Sequence, residues 1–423
     1  MPDVDLLIRG GDPVDVAVDD GRIVATGVEL GLTAAETVDA TGLRVLPGAV
    51  DAHVHFNDPG RADWEGWASG TAAAAAGGTT CVVDMPLNAH PPTVDADSFR
   101  QKVEAADGAA VTDFALWGGL VPGNVSRLAG LAELGVVGFK AFMSPSGIDD
   151  FEAVDDDTLR EGMAEAARLG LPVAVHAESP ALLRTPAGRG WRDYLASRPP
   201  VAELDAIARA IVLAVETGCS LHVVHVSTGR GVRLVAAARA RGVDVTCETC
   251  PHYLVLDEDD LERLGAVAKC APPLRPRADR DDLRAVLAAG SIDLVASDHS
   301  PAPASMKEGD DALAVWGGIS GCQSLLALAL TEDIPTELVA ARPAARLRLP
   351  GKGRLEPGAD ADVVLFDPSV ETELRAEDLR YRHRHSPYVG LRLRGRIVAT
   401  FVRGRRVGDG GPRGRLVRPA PPG

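Results

Sequence analysis

The sequence predicts an α/β chain: a (β/α)8 TIM-type barrel with a small β-domain drawn from both ends. Three observations predict it. Between Pro47 and about Pro350, eight apolar strand candidates alternate with helical stretches. Glycines close those helical stretches at Gly77-Gly78, Gly135, Gly170, Gly218, Gly242 and Gly290, where a C-terminal glycine belongs. The first 46 residues and those after 350 read instead as short strands joined by turns. The chain therefore divides into 1–46, 47–350 and 351–423, with the outer two segments pairing into one β-domain.

In the first segment, strands are expected over 5–9, 14–18 and 22–25, with Asp19-Asp20-Gly21 as a turn. The barrel strands are expected over 49–56, 80–85, 114–118, 136–142, 172–176, 220–226, 244–248 and 293–297. Helices are expected over 67–76, 97–106, 157–169, 202–216, 231–239, 281–289 and 322–330. The run Ala72–Ala76 reads as a packed helix face, and the aspartates before 157 suit a helix N-terminus. After 350, strands are expected over 361–366 and 397–402, with Gly404–Val407 as a hairpin end. The tail from Gly410 is rich in Gly, Pro and Arg. It reads as a solvated or oligomer-contacting tail, with a nucleic-acid patch as the alternative.

Composition narrows the class. The chain has 423 residues, 46% hydrophobic and 25% charged, as a globular protein does. A net charge of −16 disfavours nucleic acid and anionic membrane as partners. The Met-Pro-Asp-Val-Asp start lacks the parts of a signal peptide, and no apolar run is long enough to span a bilayer. Six cysteines make no disulfide framework in so long a chain. Cys247 and Cys250 form a lone CxxC, read as structural or incidental. A cytoplasmic enzyme is the expectation.

Active sites of such barrels lie at the C-terminal ends of the strands. His53 and His55 alternate along strand one, so both side chains share a face and converge on one metal ion; a strand with two polar residues is the bland alternative. Strand four carries Lys140, strand five ends in His176, strand six in His225, and strand eight runs into Asp298. Their meeting at one mouth favours the metal. On strand six, His222 and His225 differ by three, so His222 is expected to pack toward the helices. His299 is a candidate for a substrate contact or for one behind the site and His252 for one behind it, whereas His90, His383 and His385 have no comparable placement. Lys140 lies among Phe139, Phe142 and Met143, where burial should lower its pKa. A neutral amine adds carbon dioxide, from dissolved CO2 or bicarbonate, to give a carbamate. That N6-carboxylysine is an anionic ligand able to bridge two divalent ions.

Asp51-Ala-His-Val-His55, Lys140, His176, His225 and Asp298 together resemble the amidohydrolase superfamily in its cyclic-amide branch of allantoinases, dihydroorotases and hydantoinases or dihydropyrimidinases. Within the branch, His55–Gly60, Asp84–Asn88, Gly138–Gly147, Glu248–Leu254, Lys269–Arg275, Ser297–Pro301, Trp316–Gly321 and Arg384–Tyr388 look most like allantoinases. The resemblance implies a binuclear, usually zinc, centre on a barrel with a β-sandwich made from both termini, and a homotetramer. It implies hydrolysis of the ring amide of allantoin to allantoate. His53, His55 and Asp298 would hold one ion and His176 and His225 the other, with Lys140 between them; Asp298 would also carry the catalytic proton. Asn88, Ser144, Ala271 and Gly317 are the implied substrate contacts. Dihydroorotases place an arginine two residues after the second histidine, where this chain has Asn57. The hydantoinase tyrosine soon after the lysine is replaced by Ser144-Pro145-Ser146. Dihydroorotase, hydantoinase, a mononuclear deaminase and a catalytically silent scaffold stay open as alternatives.

Overall fold

The computed structural model describes residues 2–408, 410 and 414–421. The parallel strands follow one another in chain order. Ala49–Val54, Thr79–Asp84 and Asp113–Leu116 form a three-stranded sheet. After Trp117, a six-stranded sheet takes up with Gly118–Gly119 and continues through Phe139–Phe142, Val173–His176, Leu221–Val223, Val245–Thr249 and Leu294–Val295. The last seam is a single bridge between Val54 and His299, where the His55 N–H donates to the His299 carbonyl at 2.7 Å. Every expected barrel strand overlaps an observed one, and most observed strands are shorter.

The chemistry of the strands explains the two layers. Val50, Ala52, Val83, Ala115, Trp117 and Ala174 fill the barrel interior. Val54, Val82, Phe114, Phe139, Val173 and Val223 face outward into the helix layer. Helix Trp67–Ala76 lies where expected and buries Ala73, Ala74 and Ala75. Asp155 caps Asp156–Leu169 by accepting the Thr158 N–H, and Gly170 ends that helix at φ 66°, a left-handed angle that only glycine adopts cheaply.

Several short elements escape the sequence. Helices Leu128–Leu134, Trp191–Ser197 and Glu258–Leu264 are seven residues each, too short for periodicity to declare them. Leu128–Leu134 also has no side-chain cap. The strand Ala34–Asp39 has weak β-formers and gains its form by pairing parallel to Val4–Arg9.

Both ends of the chain build the β-domain. Arg22–Gly27, Asp15–Asp19, Val4–Arg9 and Ala34–Asp39 form one four-stranded sheet. Arg405–Arg406, Arg392–Val402, Val363–Glu373 and Arg44–Pro47 form the other. Their inner faces share one core, with Leu6, Ile8 and Val16 against Val363, Leu365 and Phe401, which is a β-sandwich. The tail differs from the expectation of a free or oligomer-contacting segment. Gly414 donates to the Ala110 carbonyl, Leu416 bridges to Phe114, and Val417 donates to the Phe114 carbonyl, so the tail lies along the third barrel strand. Residues 411–413, 422 and 423 of that expected tail fall outside the described residues.

Sandwich and barrel are joined by buried charge. The Lys352 ammonium is wholly buried and sits 2.5 Å from Asp113 and 2.9 Å from both Asp360 and Asp362. Arg403 also pairs with Asp113. The three carboxylates could hold a cation by spacing alone, but the lysine already supplies the charge. Removing one partner of such a buried cluster leaves uncompensated charge, at a cost of about 3–5 kcal/mol. Lys352→Met should therefore lower the thermal midpoint by several degrees or more, read by circular dichroism. An unchanged midpoint would show that the cluster contributes nothing.

Candidate metal centre

The strand ends deliver the site. Between Asp51 and Val54 the register to the neighbouring strand shifts, a bulge of the kind that re-aims side chains. Beyond it His53 and His55 come together, with ring centroids 5.3 Å apart. His225 and Asp298 lie past the last paired residues of their strands, at φ 40° and 46°. Left-handed backbone at non-glycine residues costs about 1–3 kcal/mol and clusters at functional sites. Here it turns both side chains to the centre. Asp298 Oδ1 sits 3.2 Å from His53 Nε2 and 3.5 Å from His55 Nε2. His176 Nδ1 lies 3.0 Å from His225 Nε2. The His53 and His225 rings are 5.6 Å apart, which joins the two groups into one cluster.

Lys140 is fully buried, its Nζ without a hydrogen-bond partner and 4.5 Å from the centre of the Phe142 ring. Burial pushes its pKa down to about 7, against the pull of Glu248 and Asp298. Burial likewise lowers His176 and His225, which favours the neutral imidazole, the form able to ligate a metal.

Two buried carboxylates hold these histidines, and sequence reasoning missed both. Glu248 Oε1 accepts a hydrogen bond from His53 Nδ1–H at 2.5 Å, leaving Nε2 for the centre. Glu178 Oε2 meets His176 Nε2 at 2.8 Å, leaving Nδ1. Such partners fix the tautomer and raise the basicity of a ligating imidazole. Burial would raise Glu248, yet His53 and His222 hold it below the carboxylate range. Glu178 also resists burial and is pushed down to about 2 by Arg198 and His176. The available signal was an acidic residue at the end of a strand, level with the histidines. The structure also corrects His222. It faces the barrel interior, stacked 6.4 Å from Trp117 and bonded to Glu248 at 3.2 Å. Counting three positions failed because His225 has left the strand.

The donor set fits divalent ions. His53, His55 and Asp298 offer atoms within 4.8 Å of one another. Buried His55 Nδ1, Lys140 Nζ and His225 Nδ1 find no protein partner. Imidazole and carboxylate donors suit zinc and its neighbours. Cys247 and Cys250 are both free and buried, with no second pair.

A cavity of about 510 Å³ opens above the cluster, with His53, His55, His176, His225 and Asp298 lining it. Asn88, Ala271 and Gly317 lie on its wall; Ser144 is buried behind it, and Ser146 and Gly147 line it instead. Asn57 is buried at φ 64° and donates to the Pro301 carbonyl. The basic residues Arg184, Arg198 and Lys269 also line the cavity and were not anticipated. His299 is buried behind the site and accepts the Gly321 N–H.

Comparison with known proteins agrees with this geometry. Residues 44–407 match the Amidohydrolase family. An allantoinase of Rubrobacter xylanophilus is 59% identical over 99% of this chain and 98% of that protein. An allantoinase of Escherichia coli O1:K1 is 44% identical over 95% of this chain and 94% of that protein. Among solved structures, an L-hydantoinase (dihydropyrimidinase) from Arthrobacter aurescens superposes with a TM-score of 0.93 at 34% identity, covering 98% of this chain and 100% of that one. A barrel whose strand ends carry buried histidines and an aspartate, over a sequence match of this extent, places the chain in the amidohydrolase family of metal-dependent hydrolases, beside the allantoinases.

Proposed function

We propose that this chain hydrolyses the ring amide of allantoin to allantoate. The observation that carries the reading is the cavity-floor cluster of four histidines, Asp298 and buried Lys140, in a chain 59% identical to a curated allantoinase. In this reading His53, His55 and Asp298 hold one ion, His176 and His225 the other, and Lys140 serves both as its carbamate. Two divalent ions, zinc in this reading, supply Lewis acidity and lower the pKa of a water. Asp298 accepts the proton of the attacking water and passes it to the ring nitrogen as the amide C–N bond breaks. Glu248 and Glu178 keep His53 and His176 in the tautomers that present nitrogen to the centre. Asn88, Ala271 and Gly317 are positioned to hold the ring, with Ser146 and Gly147 near the place proposed for Ser144.

Hydantoinase activity is the second reading, favoured by the 0.93 superposition. Dihydroorotase activity is disfavoured by Asn57, a neutral residue pinned to the Pro301 carbonyl. The reading includes a homotetramer in the cytoplasm. Six free, buried cysteines suit a reducing compartment. No described helix is long and apolar enough to cross a membrane.

The zinc-loaded protein should open allantoin faster than hydantoin or dihydroorotate by at least about tenfold in kcat/KM, a difference of roughly 1.4 kcal/mol. Preference for another amide would keep the site and overturn the substrate. Lys140→Ala should lower kcat on the order of 10³-fold and cut zinc below two per chain, measured by atomic absorption. The pH dependence of reactivation follows from the lysine. Its lowered pKa, about 7, makes the amine neutral above that value. At fixed dissolved CO2, recovery of stripped enzyme with zinc should quicken from pH 6 to 8 and then level off. A rate indifferent to CO2 would remove the carbamate from the account.

A further inference from the structure

His252 is the second residue of the short helix Pro251–Val255, which follows the seventh barrel strand. It is fully buried, and neither ring nitrogen has a hydrogen-bond partner. A neutral imidazole carries one N–H donor and one acceptor. Leaving such a group unpaired in a dry interior costs about 1–3 kcal/mol. Packing does not require a histidine there: its ring lies 4.2 Å from the Tyr253 ring, a contact any aromatic residue would make.

The neighbours narrow what the ring can meet. A ring nitrogen of His252, Cys250 Sγ and an Asp298 carboxylate oxygen all lie within 4.8 Å of one another. The charged groups that bear on the ring are Asp298, which favours its cationic form, and His53, which opposes it. Of these, only Asp298 is a strong acceptor. The contacts from Asp298 to His53 and His55 both use Oδ1, so the carboxylate is anchored on one side. Its backbone is in the left-handed region at φ 46°, a conformation that costs about 1–3 kcal/mol and is held by its surroundings.

The geometry points to His252 as a positioning residue for Asp298: its ring N–H reaches that carboxylate through one bridging water, a span that the separation within 4.8 Å allows, and holds the second oxygen toward the reacting amide. The inference rests on the role proposed above for Asp298 as proton carrier. A carboxylate that takes a proton from water and returns it to the ring nitrogen must hold its orientation through both transfers. A neutral donor behind it does so without adding charge to the site.

The same three residues could be read as a further metal site, since sulfur, imidazole and carboxylate are all zinc donors. Two observations oppose that. Neither Cys250 nor His252 lines the cavity, and burial holds the Cys250 thiol in its protonated form. The two readings differ in zinc count, which makes them separable.

The test compares zinc-loaded wild type with His252→Leu, His252→Asn and Cys250→Ala as full-length proteins. The leucine variant should lose about 10²-fold in kcat, keep KM within about twofold, and retain two zinc ions per chain. The asparagine variant should recover at least about tenfold of that loss, because its amide restores an N–H. The alanine at 250 should change neither rate nor zinc content. A leucine variant within threefold of wild-type kcat, an asparagine variant no better than leucine, or a third zinc lost with either residue would each overturn the inference. If the leucine variant does not fold, His252→Ala takes its place. The kcat split is read on whichever cyclic amide the wild type prefers. A wild type that opens hydantoin rather than allantoin thus sinks the substrate reading while His252 is still judged; one inactive on the whole panel overturns both.

Discussion

Desolvation governs the upper end of this barrel. Lys140, His176 and His225 are buried, and burial disfavours their charged forms. An exposed lysine would be an ammonium and useless as a ligand. The same burial would also neutralise Glu178 and Glu248, whose ionised carboxylates hold the imidazoles of His176 and His53. They stay ionised only because each has cationic or proton-donating partners: Arg198 and His176 for one, His53 and His222 for the other. Neutral bases and ionised acids thus occupy one dry volume, sorted by which neighbours each is given. The small residues Ala52, Ala115 and Ala174 and the stacked Trp117 pack together in the barrel interior.

Much of this was legible from spacing. The period of two placed His53 and His55 on one side, and the strand–helix alternation located the ends where Lys140, His176, His225 and Asp298 emerge. What the sequence hid depends on backbone departures from regular form. Parity assigned His222 outward because it assumed a strand through His225, whereas the strand stops at Val223 and His225 turns in at a left-handed angle. Glu248 carried no recognisable spacing, since His53 and His222 lie on other strands; Glu178 stands only two residues after its partner His176, a spacing that could have been read. The cavity's arginines and Lys269 come from loops, whose paths depend on tertiary contacts and not on local periodicity.

The β-sandwich was legible as two clusters of strands, but its union is a long-range event. Arg44–Pro47 pairs with Val363–Glu373, so the strand that leads into the barrel is seated in the sheet of the C-terminal strands. The strand Ala49–Val54, which carries His53, begins just beyond this pairing. Its first residues are therefore fixed by the sandwich and its last by the seam with His299.

Asp113 has a consequence for the order in which the protein can be made. It opens the third barrel strand and is buried, yet its partners are Lys352, Arg403 and the Arg415 N–H, the last 302 residues further along. During synthesis the ribosome delivers the barrel's strands long before it delivers the cations that make Asp113 tolerable inside. A nascent chain that has emerged only as far as the eighth strand holds an uncompensated carboxylate at its base and half a sandwich core. The segment from Lys352 to Arg415 thus supplies the charges and the N–H that the third barrel strand needs at its base.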